Sequence, residues 1–297
     1  MAIIDREQWL AERRKGIGAS DAPTVVGVRK DPSRFRLWCE KRGEIEPEPP
    51  NDAMRMGLAA ESAIASMYTE RTGWGFTRQQ IHVTHPMYPW MKATIDGELD
   101  QQDYVEFKLA GAWMTRTLPE DGSPIGLPDA WVIQAQHQMA VTGAKHIQFA
   151  VWCADPSFRI YYVHRDEDLI NQMTVLESEF WLHVVNGTPP AEFGPADLGA
   201  IAKHFNRDDE PAIELNALKY AQIVRAYKEA AKTIKEEEDD RDHYKAELLM
   251  AMGNASAAKC GSYTLKRKVV HVKERTQTIK ASQYVRFTVS NGDSENE

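Results

Sequence analysis

Residues 94–108 read TIDGELDQQDYVEFK, and how this stretch is folded decides the fold of the chain. Ile95, Val105 and Phe107 suit strands, yet Asp96, Glu106 and Lys108 are interleaved with them. Residues two apart on a strand share a face, so Glu106 and Lys108 point together while Val105 and Phe107 point oppositely. With DGELDQQD as a hairpin turn, Asp96 on the neighbouring strand comes within reach of Glu106. Two carboxylates that close repel, and one pKa rises unless a cation holds them. The stretch is therefore either an exposed hairpin with a surface ion pair, worth about 0–1 kcal/mol, or a strand pair whose charges converge on an ion. Oxygen ligands of this hardness favour Mg²⁺ or Mn²⁺, with the Phe107 carbonyl as a further ligand. Lys108 beside the ion would orient an attacking water or hold a phosphate oxygen.

Three other stretches bear on that choice. In GLAAESAIASMY (57–68) the apolar residues Leu58, Ile64, Ala65, Met67 and Tyr68 recur at helical spacing, and Glu61 lies on the same stripe. A lone carboxylate is costly to bury. Glu61 is either linked to a metal or reaches solvent from the stripe's edge. In AWVIQAQHQMAV (130–141) one face carries Trp131, Gln134, Gln138 and Val141. An amide there either positions a water or a phosphate through its donor and acceptor, or belongs to a partly exposed helix. In RRKGIGASDAP (13–23), Gly16 and Gly18 permit close backbone approach and Ser20 suits the N-cap of a helix starting near Asp21. That cluster is a capped helix start or, with Arg13 or Arg14, a phosphate site. His82 and His85 form an HxxH pair without a third ligand nearby, which argues against a metal role.

Around these stretches, the patterning predicts helices near 6–15, 32–43, 53–72, 128–143 and 166–186 and strands at GFTRQQIHVTH, WMKATIDG, YVEFKL, HIQFAVWC and FRIYYV. That order predicts an α/β (α+β) fold, a mixed central β-sheet flanked by helices. Residues 1–210 are expected to form this domain. Residues 211–297 differ: a long charged helix to about 252, then two basic strand candidates, SYTLKRKVVHVKER and QYVRFTV, and a polar tail. They read as an appendage of long helix plus β-hairpin.

The net charge of −8 argues mildly against a nucleic-acid partner, but its distribution weakens that. Residues 13–42 hold nine Lys/Arg against three acidic residues, and residues 256–289 hold eight against Glu274. Local field matters more than the total for phosphate binding. The three cysteines lie far apart and offer no zinc pattern. No apolar run approaches the roughly 20 residues of a bilayer span. MAIIDREQWLAERRK has no apolar core or cleavage site, so the expected location is cytoplasmic.

Taken in order, RRKGIGASDAPTVVG, MGLAAES, ATIDGELD…VEFK and WVIQAQHQMAVTG resemble the phage lambda exonuclease-type (YqaJ-like) viral recombinases, a branch of the PD-(D/E)xK nuclease superfamily, over about residues 8–190. The resemblance implies a restriction-endonuclease-like core and digestion of linear double-stranded DNA from the 5′ end, leaving a 3′ overhang for recombination. It implies two Mg²⁺ ions, with Mn²⁺ as substitute, held by Asp96, Glu106, Glu61 and the Phe107 carbonyl. Lys108 and Gln134 would orient the attacking water. Arg13, Ser20 and Thr94 match positions that hold the 5′-terminal phosphate. The implied setting is a phage- or prophage-encoded homotrimer ring in a bacterial host cell, working with a single-strand annealing protein. Two departures stand out: Ile95 replaces the superfamily's proline before the aspartate, and Thr94 replaces a serine. The rival readings are a structure-selective endonuclease with the same core and a non-catalytic DNA-binding or annealing protein.

Overall fold

In a computed structural model, which describes residues 6–99, 103–123, 125–270 and 284–289, the chain divides into one unit through Phe205 and a second from Asn206 onward. Turn residues 100–102, residues 271–283 of the basic C-terminal block and the tail from 290 lie outside the described residues.

The first unit is built on a mixed sheet. Its strands are β1 (Ile17–Gly18), β2 (Arg78–Thr84), β3 (Met91–Glu98), β4 (Tyr104–Ala110), β5 (His146–Cys153) and β6 (Phe158–His164). The main path runs β1-β3-β4-β5-β6, and β2 also pairs with β3. The β1–β3 and β4–β5 pairs are parallel and the rest antiparallel. The helices are α1 (Arg6–Arg13), α2 (Ala22–Val25), α3 (Arg34–Arg42), α4 (Asp52–Thr72), α5 (Ala112–Thr117), α6 (Asp129–Thr142), α7 (Glu167–Asn186) and α8 (Leu198–His204). Local chemistry sets the ends of several. The side chains of Ser33, Asn51 and Asp166 accept from backbone N–H groups in the first turns of α3, α4 and α7. Gly43, Gly73, Gly143 and Gly187 end four helices in the left-handed conformation.

Two layers of core flank the sheet. Val105, Phe107 and Ala150 pack with Ile64 and Tyr68 of α4. Ile147, Phe149 and Val151 pack with Ala135, Met139 and Val141 of α6. Each such large side chain contributes about 1.5–3 kcal/mol by leaving water. The buried Tyr68 hydroxyl is satisfied by Gln148 Oε1 at 2.7 Å.

Some expectations change. Residues 16–18, which the patterning leaves outside any strand, contain β1, because Ile17 N–H bonds to the Trp90 carbonyl at 2.6 Å and draws the segment onto β3. A Cβ at Gly16 would sit 2.3 Å from the Trp90 oxygen, so only glycine fits. Leu58 is exposed, so the inward stripe of α4 begins at Ala60.

In the second unit the helix starts at Ala217, not 211, and runs to Met252 as α9, with no buried residue. The strand pairing also differs from expectation. Here β7 (Ala257–Cys260) pairs with β8 (Tyr263–Lys266), and Tyr284–Val289 is in no strand. The two-residue loop Gly261–Ser262, with Gly261 at φ +58°, closes a local hairpin and takes the first basic strand's partner from its own neighbourhood. Among the described residues, no helix is long and apolar enough to cross a membrane.

Candidate functional site

The site begins where two strands part. β3 and β4 share only the pairs Gly97↔Val105 and Glu98↔Tyr104. Asp96 and Glu106 are the first residues past the last pair. Instead of continuing the ladder, Asp96 Oδ2 accepts from the backbone N–H of Phe107 at 2.8 Å. A residue's N–H and C=O leave a strand by the same edge, so the Phe107 carbonyl also faces the split. Further along, β3 regains a neighbour in β1, at Met91 and Lys92. Between these two pairings its backbone groups need other partners.

Helix α6 supplies them. Gln138 Nε2 donates to the Thr94 carbonyl at 3.3 Å and to Glu106 Oε2 at 2.6 Å. His137 Nε2 donates to the Lys92 carbonyl at 2.9 Å, and its Nδ1 lies 2.9 Å from Glu177 Oε1. Gln134 Nε2 donates to Glu106 Oε1 at 2.6 Å, while its Oε1 accepts from Lys108 Nζ at 3.0 Å. Lys108 Nζ also donates to Glu106 Oε1 at 2.8 Å. Gln134 is buried, which removes the partly exposed helix as an explanation of its amide. Gln138 was legible as an amide on an apolar face, but its bond to Glu106 was not.

Asp96 is pushed well above the usual carboxylate range by burial, then by the charges of Glu106 and Glu61, against the Phe107 N–H bond and Lys108. Glu61 is raised by burial and by Glu106. Its Oε2 accepts from Gln80 Nε2 at 2.9 Å, and the same Nε2 lies 3.4 Å from Asp96 Oδ1. The donor set is one of hard oxygens whose mutual repulsion a divalent cation would relieve, and in that chemical sense the residues fit Mg²⁺ or Mn²⁺. The carboxylates do not meet, however: among the described residues no three His, Cys, Asp or Glu side chains converge on one point. Amides hold them instead: Gln134 and Gln138 bind Glu106, and Gln80 binds Glu61 and reaches Asp96.

The N-terminal cluster joins the same place. A cavity of about 580 Å³ is lined by Arg13, Ser20 and Thr94 together with Asp96, Glu106 and Gln134. Ser20 is not an N-cap. Asp21 takes that position in α2, without a side-chain cap bond, because its carboxylate is committed elsewhere. It accepts from Arg13 at 2.7 Å, from Lys41 Nζ at 2.5 Å and from Gly18 N–H at 3.0 Å. Burial pushes the Asp21 carboxyl up, but the Lys41 and Arg13 charges outweigh it and hold the pKa at about 2. Ser20 is exposed, and its carbonyl accepts from Arg29. Thr94 is exposed and its hydroxyl lies 3.0 Å from His82 Nδ1. Lys41 and His82 also line the cavity; nothing in the sequence marks Lys41, and His82 is read there only as half of an HxxH pair. His82 lies on β2 directly opposite Thr94 of β3, a cross-strand pairing that the sequence does not reveal.

The Asp21 pair has a testable consequence. A carboxyl held below its ordinary 3.8 contributes stability that is present above pH 4 and lost as pH falls through about 2. That loss is on the order of 2 kcal/mol. Acid unfolding followed by circular dichroism should show it, and Asp21→Asn should flatten that part of the profile.

Comparison with known proteins places these observations. Residues 8–145 match the YqaJ-like viral recombinase domain. The uncharacterized protein YqaJ of Bacillus subtilis (strain 168) is 29% identical over 221 residues, 72% of this chain and 68% of that protein. The fold is similar to the crystal structure of an alkaline exonuclease, LHK-Exo, from Laribacter hongkongensis, with a TM-score of 0.51 and 22% identity over 61% of this chain and 93% of that one. The structure of LHK-Exo in complex with dAMP matches to the same degree. The resemblance to YqaJ-like viral recombinases is thus borne out over residues 8–145, and the expected mixed sheet flanked by helices is the fold shared with that exonuclease structure.

Proposed function

For a chain whose residues 8–145 carry the match to the YqaJ-like viral recombinase domain, we propose a Mg²⁺-dependent exonuclease that digests linear duplex DNA 5′ to 3′ and leaves a 3′ overhang for recombination. The observation that carries this reading is the shared cavity, which sets Arg13, Ser20 and Thr94 beside Asp96, Glu106 and Gln134. A terminal phosphate and a scissile phosphodiester are the two groups such a cavity would need to hold at once.

Asp96, Glu106, Glu61 and the Phe107 carbonyl would hold two Mg²⁺ ions, or Mn²⁺ in their place. Bound divalent ions supply water activation and charge stabilisation for in-line displacement at phosphorus. Lys108, already anchored to Glu106 and Gln134, stabilises developing negative charge on the phosphate oxygens. Gln134 aligns Lys108 and the attacking water. Asp21 aims Arg13 at the cavity, where Arg13 and the Ser20 hydroxyl receive the 5′ phosphate. Polarity then follows from geometry and not from base recognition, and binding weakens steeply with salt. A homotrimer ring, an annealing partner and a cytoplasmic, phage-type setting belong to the same proposal and rest on the resemblance.

The test is a Mg²⁺ titration on end-labelled linear duplex and on covalently closed circular DNA. The expected result is digestion of the linear form with early release of the 5′ label, and an intact circle. Cutting of the circle would make the protein an endonuclease, and no release from linear DNA would leave a binding or annealing role. Arg13→Ala is expected to remove the preference for 5′-phosphorylated over 5′-hydroxyl ends, about 10-fold or more for a charged hydrogen bond. Equal responses of the two ends to that change would misplace the phosphate pocket.

A further inference from the structure

We infer that Gln80 is a positioning residue that presets Glu61 and Asp96 for divalent-metal binding, an inference that rests on the nuclease reading above. β2 and β3 keep one register from Arg78↔Glu98 to Thr84↔Lys92, with a single pair missing. The missing pair is Gln80 with Asp96, flanked by Gln79↔Gly97 and Ile81↔Ile95. At that residue the backbone turns left-handed, with φ +53°. A side chain disfavours this conformation, and a strand does not use it. Glycine would be the unstrained choice for a kink there.

Glutamine instead brings an amide that links two elements. Its Nε2 donates to Glu61 Oε2 on α4 at 2.9 Å and reaches Asp96 Oδ1 on β3 at 3.4 Å. Asp96 is thereby held from two sides, by Gln80 of β2 on Oδ1 and by the Phe107 N–H of β4 on Oδ2. Glu61 lies on a half-buried helix face, where its side chain would otherwise sample rotamers toward solvent. Held by Gln80, it has lost that freedom before an ion arrives, which favours binding. Backbone strain kept at one residue, with its side chain tying two carboxylates of one site, is how sites preset their ligands.

Gln80→Gly separates this role from a structural one, because it removes the amide and the strain together. Gln80→Ala removes the amide alone. The full-length protein would be titrated with Mn²⁺ by calorimetry without DNA. The Mg²⁺ midpoint for linear-DNA digestion and the thermal unfolding temperature would be measured alongside. Both variants should bind Mn²⁺ about 10-fold more weakly and need correspondingly more Mg²⁺. Their rates at saturating Mg²⁺ should stay close to wild type, and Gln80→Gly should unfold no earlier than wild type. Unchanged Mn²⁺ affinity and Mg²⁺ midpoint in the variants would overturn the inference while leaving the nuclease reading intact. A rate loss at saturating Mg²⁺ with unchanged affinity would also overturn it. Wild-type protein that takes up no Mn²⁺ and digests no linear DNA would overturn both.

Discussion

Asp96→Asn and Lys108→Ala are each expected to lower the rate of linear-DNA digestion by at least about 10³-fold, equivalent to about 4 kcal/mol in the barrier. Asparagine is the informative replacement for Asp96. Its side-chain oxygen can still accept from the Phe107 N–H, so the parting of β3 and β4 keeps its one tie. What is removed is the charge, and with it the hard ligand that a divalent ion needs. Lys108 is the cation closest to Glu106 and is aligned by Gln134. Alanine there removes the positive group without opening the core, since that side chain is partly exposed. Binding to DNA ends without divalent metal should stay within a few-fold of wild type in both variants, because Arg13 and Ser20, proposed to receive the 5′ phosphate, are untouched. Digestion within tenfold of wild type in either variant would show that the metal and lysine assignments are wrong.

The second large effect concerns the fold beneath the site. His137 and Glu177 are both fully buried. The two ring nitrogens of His137 face oxygens, Glu177 Oε1 and the Lys92 carbonyl, an arrangement that favours the protonated ring. Burial pulls the His137 pKa down, but the Glu177 charge and hydrogen bond outweigh it and the net direction is up. Removing one partner of a buried pair costs about 3–5 kcal/mol. Glu177→Ala should therefore lower the melting temperature at pH 6 by about 6–20 °C for a unit of this size. The pH dependence has a definite sign. A histidine with a raised folded-state pKa contributes stability fully below its ordinary value of 6.5. That contribution is lost as pH rises through the folded-state pKa. Wild-type protein should lose stability on that rise, and Glu177→Ala should lack this part of the slope. A variant that melts within 2 °C of wild type with the same slope would show that the pair is not ionised.

Much of this was legible in the sequence, for local reasons. Strand alternation in YVEFK put Glu106 and Lys108 on one face, and the structure joins them at 2.8 Å. Helix stops at Gly73 and Gly143 were readable because a left-handed residue is a requirement on one position. Glu61 on its stripe and Gln134 on an apolar face were visible as anomalies, since a period of 3.6 residues tells which neighbours share a side.

The sequence by itself thus determined the order of the five longer strands and the five main helices of the first unit and the four clusters, all set by interactions within a few residues. Only the tertiary structure decided that β3 parts from β4 at Asp96, that α6 amides serve the exposed edge, and that Asp21 takes Arg13 instead of leaving the cap to Ser20. It alone set Gln80 left-handed between Glu61 and Asp96, and closed the C-terminal hairpin at Gly261. The physical reason is one of range. Periodicity and turn chemistry act between near neighbours, whereas the partner of a buried N–H, carbonyl or carboxylate is whichever group the packing brings there from elsewhere in the chain.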